Sequence, residues 1–256
     1  MLTVDLNCDM GEGMPTDSAV YPFISSTNIA CGGHAGDADT MRRSIELALQ
    51  YGVAIGAHPS YPDKADFGRT DILESQPGRS DRPFLFSALA SALTEQIITL
   101  RSICHEMGAR LRHVKPHGAL YNRAAKDLAV STVICEAVAS VDPALIIYGF
   151  SGSRTREAAA NAGLRFVNEV FADRTYQPDG SLTPRTEPNA LIHDPSSMLE
   201  QVLMMVQGHH VRSSAQTLIP ITAETICLHG DGDHAVKFAT ILHGELERNG
   251  IKVAVP

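Results

Sequence analysis

The residues with the greatest chemical capacity lie in one short run, His113-Val114-Lys115-Pro116-His117-Gly118-Ala119-Leu120-Tyr121-Asn122. An ammonium, flanking imidazoles, a phenol and an amide can bind an anion, move protons or ligate a metal. Pro116 has no N–H for a sheet ladder and holds residue 115 extended. A strand is therefore predicted to end at Lys115, with His117 on the loop behind it.

Similar polar clusters follow other strand-like runs. Asp5, Asn7 and Asp9 are spaced by two and would share one face of a strand. His34 follows Asn28-Ile29-Ala30-Cys31-Gly32, His58 ends Val53 to Ala57, and His229 and Asp231 follow Thr225 to Leu228. Glu169, Asp173 and Arg174 close another run. With Asp9, the histidines His34, His58 and His117 can form an Asp/His site for a divalent metal, although no tight metal motif such as H-E-x-x-H is present. Each also has a purely structural reading, as a hydrogen-bonded rim histidine or a salt-bridged rim charge.

Nucleotide signals are weak. None of the five lysines precedes Ser or Thr, so there is no Walker A motif. Gly230-x-Gly232-x-x-Ala235 matches only a relaxed dinucleotide fingerprint, and Asp231 and Asp233 would repel phosphate. Gly149-Phe150-Ser151-Gly152-Ser153-Arg154 is the better anion cradle, because small residues and an arginine meet a predicted helix start. Cys8, Cys31 and Cys227 lie near histidines, but buried core thiols explain them more simply than nucleophiles do.

The elements that must position these groups alternate along the chain. Glycine ends a helix directly before a strand at Gly52-Val53, Gly108-Ala109, Gly163-Leu164 and Gly250-Ile251. Phe86, Leu89, Leu93, Ile97, Leu100, Cys104 and Met107 form one apolar stripe of a long helix opened by Pro83. Asp37, Asp127 and Asp194 are placed to cap helices, and Pro178-Asp179-Gly180 marks a turn in a segment from 177 to 193 that reads as a hairpin flap. Strands that read as mostly apolar on both faces imply a parallel sheet covered by helices. The expected fold class is α/β: a seven- or eight-stranded (β/α) TIM-like barrel forming a single domain over 1–256, with an open doubly wound sheet as runner-up. In both, the functional edge is the C-terminal end of the strands, where the polar residues lie.

Composition narrows the partners. A formal net charge of −8 without a Lys/Arg block argues against nucleic acid, and no apolar run approaches membrane-spanning length. Five widely spaced cysteines without C-x-x-C, and an opening that reads as a strand rather than a charged leader, lead to an expectation of reduced thiols in a cytoplasm.

Taken together, Asp5-Leu6-Asn7-Cys8-Asp9-Met10-Gly11-Glu12, Asn28 to Gly32, His34 to Asp37, Gly56 to Asp63, Phe67-Gly68-Arg69, His113 to Asn122, Glu169 to Arg174 and His229-Gly230-Asp231 resemble the LamB/YcsF family, in order, from residue 2 to about 250. Two departures stand out: Gly33, where the family usually has phenylalanine, and Thr70, where a second arginine is common. The resemblance implies a barrel of the glycoside hydrolase and deacetylase type. It also implies ATP-dependent hydrolysis of the lactam of 5-oxo-L-proline to L-glutamate, forming ADP and phosphate, with two partner subunits of the B and C type. That chemistry calls for ATP, with Mg2+, and for cations, a base and a grip on the substrate carboxylate. The residues expected to carry it are Asp9, Lys115, His117, Glu169 and Asp173, with Asn7, Ser153, Arg174, His229 and Asp231 holding substrate or phosphate. The competing expectation is metal-dependent deacetylation of a sugar-like amide by Asp9, His34, His58 and His117, without ATP.

Overall fold

The computed structural model describes residues 2–73, 82–228 and 235–256. His229, Asp231 and the glycine pair Gly230 and Gly232 lie outside the described residues.

The chain begins with β1 (Leu2–Met10), the short α1 (Asp17–Val20), β2 (Ser26–Ala30), α2 (Ala38–Tyr51) and β3 (Ala54–His58). It continues with α3 (Arg82–Glu106), β4 (Leu111–Val114), α4 (Gly118–Lys126), α5 (Leu128–Val141), β5 (Ile146–Phe150), α6 (Thr155–Asn161) and β6 (Arg165–Phe171). The last part holds α7 (Pro195–Gly208), β7 (His210–Arg212), β8 (Leu218–Pro220), β9 (Thr225–Leu228), α8 (Ala235–Arg248) and β10 (Ile251–Val253).

Strands β1, β2, β3, β4, β5, β6 and β9 are hydrogen-bonded in that order, all parallel, and β9 returns to β1 to close the barrel. The barrel therefore has seven strands. The eighth strand of the same sheet, β10, lies beside Leu2 to Val4, below the residues through which β1 pairs with β2 and β9. The open-sheet alternative does not hold.

Local chemistry sets the boundaries. Asp37 and Thr40 form a reciprocal capping box on α2, and the Asp127 carboxylate accepts from the N–H groups of Ala129 and Val130 at the start of α5. Gly52, Gly108, Gly163 and Gly250 all take positive φ, the left-handed step that ends a helix and turns the chain into the next strand. The segment after β6 folds back through single antiparallel bridges, Arg174 to Leu191 and Tyr176 to Leu182, so the expected flap is an irregular strap and not a regular hairpin. The small β7–β8 ribbon carries no turn signal strong enough to be read from sequence.

The strands are buried on both faces, but the faces differ in kind. Outward-facing Val4, Leu6, Met10, Ile29, Ile55, Val114, Ile147, Val170 and Ile226 pack against helix residues such as Ile45, Leu93, Ile97, Val138 and Leu242. The interior is polar, which corrects the expectation of strands apolar on both sides. Asp5 accepts from Ser25, Ser26 and Thr225. The His113 ring reaches Asn28 on β2 at 2.8 Å and stacks on Tyr148 at 4.1 Å. Strand β3 lies between β4 and β2, and Gly56 leaves the room: a Cβ there would sit 2.0 Å from His113 Nε2.

This packing predicts that Gly56→Ala costs about 3 kcal/mol of stability, by overpacking against the ring. Urea denaturation of the two proteins measures it, and a loss near zero would place the imidazole elsewhere.

Candidate active site

Lys115 continues the β3–β4 ladder one residue beyond the strand, its N–H donating to the Ala57 carbonyl at 2.9 Å. His117 N–H donates to the Pro59 carbonyl, so the chain stays in register across Pro116. Gly118 then takes φ +55, in space where a Cβ would meet the Gly68 carbonyl oxygen at 2.5 Å, and starts α4 at once. Pro116 and Gly118 read locally as loop signals, so this helix is a departure from expectation. It places Tyr121 one turn beyond His117, facing the barrel interior.

The Lys115 ammonium lies 2.9 Å from Asp9 Oδ1, 2.9 Å from Glu169 Oε1, 3.0 Å from Cys227 Sγ and 3.3 Å from Asn7 Oδ1. These partners come from β1, β6 and β9, across the lumen from β4. Glu169 is fully buried and also accepts from Asn7 Nδ2 at 3.0 Å and from the Tyr121 hydroxyl at 2.6 Å. Asn28 Nδ2 donates to Asn7 Oδ1 and to Asp9 Oδ1, both at 2.8 Å. Burial opposes the charge on Lys115, but Asp9 and Glu169, with the Cys227 sulfur as a hydrogen-bond acceptor, outweigh it and hold its pKa well above the usual lysine value. Cys227 and Cys8 are pushed well above the usual thiol range, chiefly by burial, so neither is a ready nucleophile.

A second cluster adjoins the first. His58 Nδ1 donates to the Lys115 carbonyl at 2.7 Å, and His117 Nε2 donates to the Phe67 carbonyl at 3.0 Å. The remaining nitrogens, His58 Nε2 and His117 Nδ1, face one another at 2.9 Å. His34 stacks flat on His117 at 3.7 Å, and its Nε2 lies 2.9 Å from Glu12 Oε1. One donor atom from each of Glu12, His34, His58 and His117 lies within 4.8 Å of the others. Burial lowers the pKa of His34 and of His117 to about 3, helped by the neighbouring His58 charge. Burial also acts against a charged His58, but Asp9, by charge and hydrogen bond, turns its net shift upward. Phe67, at φ 55, closes this cluster edge-on to the rings of His34 and His117.

Of the residues read from sequence, Asn7, Asp9, Lys115, Glu169, His34, His58 and His117 form this one connected site. Asp9 borders the imidazoles, its Oδ2 3.3 Å from His58 Nε2, while Oδ1 is engaged by Lys115 and Asn28. Arg174 is buried with its guanidinium on the carbonyls of Thr183 and Ala190, where it braces the strap, and Asp173 accepts from Ile192 N–H through its carbonyl. Ser153 Oγ is buried without a partner among the described residues, whereas Arg154 turns outward to Glu157. Sequence reasoning singled out His113 and Tyr121 by type but gave them no role, and passed over Glu12 and Asn28 as members of the network. The period of two from Lys115 back to His113 and the helical step from His117 to Tyr121 were the available signals. Beside Gly33, where a Cβ would meet Gln96 Oε1 at 2.4 Å, the Gln96 amide bonds both the N–H and the carbonyl of Ser60. Thr70, the other departure, bonds Asp66 at the surface.

The sequence pattern of the LamB/YcsF family matches residues 4–256, and the chain belongs to that family. It is 49% identical to the A subunit of 5-oxoprolinase from Shouchella clausii, covering 99% of this chain and 98% of that one. It is 47% identical to the corresponding A subunit from Geobacillus thermodenitrificans, covering 99% and 96%. Among solved structures, the lactam utilization protein of Thermus thermophilus superposes with a TM-score of 0.88 at 33% identity over the whole of both chains. A putative cellobiose-phosphate cleavage protein of Enterococcus faecalis shares the fold, with a TM-score of 0.59 at 15% identity over 99% of this chain and 97% of that one.

The interior also predicts acid sensitivity. Burial, then the charges of Lys115 and His58, lower the His113 pKa to about 3. The unfolded chain therefore binds a proton at His113 below about pH 6.5 that the folded chain does not, and stability falls as pH drops from there toward 3. Between pH 6 and 4, His113→Asn should have a shallower loss than the parent, by about 1.4 kcal/mol per pH unit in urea titrations. Parallel pH profiles would contradict the neutral buried ring.

Proposed function

We propose that this chain is a catalytic subunit of an ATP-dependent 5-oxoprolinase, hydrolysing the lactam of 5-oxo-L-proline to L-glutamate. The observation that carries this reading is identity of 45–49% to proteins named as the A subunit of 5-oxoprolinase, along essentially the full length of both chains. An A subunit implies an assembly, and two further subunits of the B and C type complete it in this reading. ATP with Mg2+ enters as co-substrate of that assembly.

The chemistry fits the site. A lactam is a poor electrophile. Phosphorylation of its carbonyl oxygen makes the ring carbon open to water. The ring C–N bond then breaks, its nitrogen takes a proton, and a second water releases phosphate from the acyl phosphate. Charge develops on oxygen in these steps, and a fixed cation in a dry setting stabilises it without reorganisation. Lys115 is that cation. Asp9 and His58, in contact at 3.3 Å, are the pair placed to take and return protons. In this reading Glu169, held by Lys115, Asn7 and Tyr121, fixes the ammonium in place. His117 orients His58. Asp173 and Arg174 keep the strap on the rim.

The test is glutamate release from 5-oxoproline by the chain alone and with its two partner subunits, with and without ATP. Release is expected only from the full mixture with ATP. Lys115→Ala should lower it by at least about 100-fold, as removal of an electrostatic group does, and Glu169→Gln should lower it by a similar factor. Metal-dependent deacetylation by the chain alone, with no release from the full mixture, would overturn the proposal.

A further inference from the structure

The imidazole cluster beside Lys115 turns two ring nitrogens toward one another. Both His58 and His117 spend one ring N–H on a backbone carbonyl, of Lys115 and of Phe67. A carbonyl can only accept, so these bonds fix both tautomers. Each ring, when neutral, presents a lone pair at its other nitrogen, and those two nitrogens face each other across 2.9 Å. Two lone pairs at that distance repel, so the gap takes either a proton on His58 Nε2, with Asp9 Oδ2 3.3 Å away, or a metal ion. A carboxylate faces the same point: Glu12 Oε1 is 3.5 Å from His117 Nδ1, 3.9 Å from His58 Nε2 and 2.9 Å from His34 Nε2.

Metal-ligating histidines donate their second N–H to a backbone carbonyl or carboxylate, which sets tautomer and ring angle. His58 and His117 both do so here. The separation of their free nitrogens, 2.9 Å, lies about half an ångström inside the gap of about 3.4 Å between two ligands about 2.1 Å from one tetrahedral ion, so a small opening of the pair would admit one. Glu12 brings a carboxylate to the imidazoles, with its Oε1 3.9 Å from His58 Nε2.

We propose that Glu12, His34, His58 and His117 form a site for one divalent first-row transition ion of the zinc, cobalt or iron class. Imidazole-rich donors with one carboxylate select such ions over magnesium or calcium, which prefer all-oxygen shells. The set differs from the one expected from sequence, since Glu12 supplies the carboxylate; Asp9 gives Oδ1 to Lys115 and holds Oδ2 beside His58 at 3.3 Å. Phe67 and Gly68 close the outer side: a Cβ at Gly68 would meet the side chains of both His117 and His34 at 3.1 Å. An ion held there would supply Lewis acidity beside Asp9. The inference rests on donor geometry and not on the oxoprolinase reading; an ion there would take His58 Nε2 as a ligand and leave Asp9 to carry the protons assigned above to that pair.

The experiment uses the full chain, stripped with chelator and titrated with Co2+ alone. Calorimetry gives stoichiometry, and the visible spectrum reports the ligand type. One equivalent is expected, with ligand-field bands of a nitrogen and oxygen set and without a thiolate charge-transfer band. The melting temperature should rise with Co2+. Glu12→Gln and His117→Gln should each weaken binding by more than tenfold. E12Q removes a charge without removing volume, and carries the test by itself if H117Q does not fold. Absence of stoichiometric binding to the parent chain would overturn the proposal and leave a shared proton between His58 and His117. Equal binding by parent and E12Q, or a thiolate band, would also overturn it.

Discussion

A lysine ammonium enclosed in a barrel is the constraint on which the structure depends. Burying an isolated charge costs several kcal/mol, a large part of a domain's stability, so a charged Lys115 requires ionised partners in contact and hydrogen bonds that in turn hold those partners. Asp9 and Glu169 meet the first need, and Asn7, Asn28 and Tyr121 meet the second. The network draws on β1, β2, β4, β6, β9 and the first turn of α4. Barrel closure between β9 and β1 is what brings Cys227 and Asn7 to the same ammonium. The fold and the site are in this sense one arrangement.

The same constraint accounts for the polar lumen. An ammonium within reach of water would spread its charge into solvent; here the walls are amide, phenol and imidazole with few alternatives. Glycine is placed where those walls need space, at Gly56 beneath the His113 ring and at Gly68 above His34 and His117. Such interiors are costly to assemble, and they fix the direction of every donor before substrate arrives. Preorganisation of this kind suits a reaction in which oxygen gains charge as a stubborn amide is opened.

Much of this was legible in the sequence, for reasons that can be stated residue by residue. Glycines at helix ends, aspartates at helix starts and the stripe on α3 are local signals, and their outcomes are local. Asp5, Asn7 and Asp9 share a face because strand periodicity is strict. Pro116 did end β4, yet the ladder resumed at His117, and the proline and glycine signals hid the immediate start of α4. The polarity of the inner face was harder to see. Runs such as Ser26-Thr27-Asn28-Ile29-Ala30 are buried throughout, and only the pairing of β1 with β2 and the order β2-β3-β4 decide that Asn28 meets Asn7 and His113. Glu12 escaped notice because it stands in a glycine-flanked turn, where an exposed acid is the ordinary expectation. Its place beside three imidazoles comes from tertiary structure alone.

Both the site and the barrel require Lys115 to remain a charged ammonium, held by Asp9 and Glu169. Heteronuclear NMR on protein carrying labelled lysine, assigned with a Lys115 variant, follows the Cε chemical shift of that residue against pH. The account predicts no titration of Lys115 between neutral pH and the ordinary lysine range, with its midpoint above that of the exposed lysines. A midpoint near or below neutrality would contradict it, since the lumen would then hold a neutral amine and the two carboxylates would need another counter-charge.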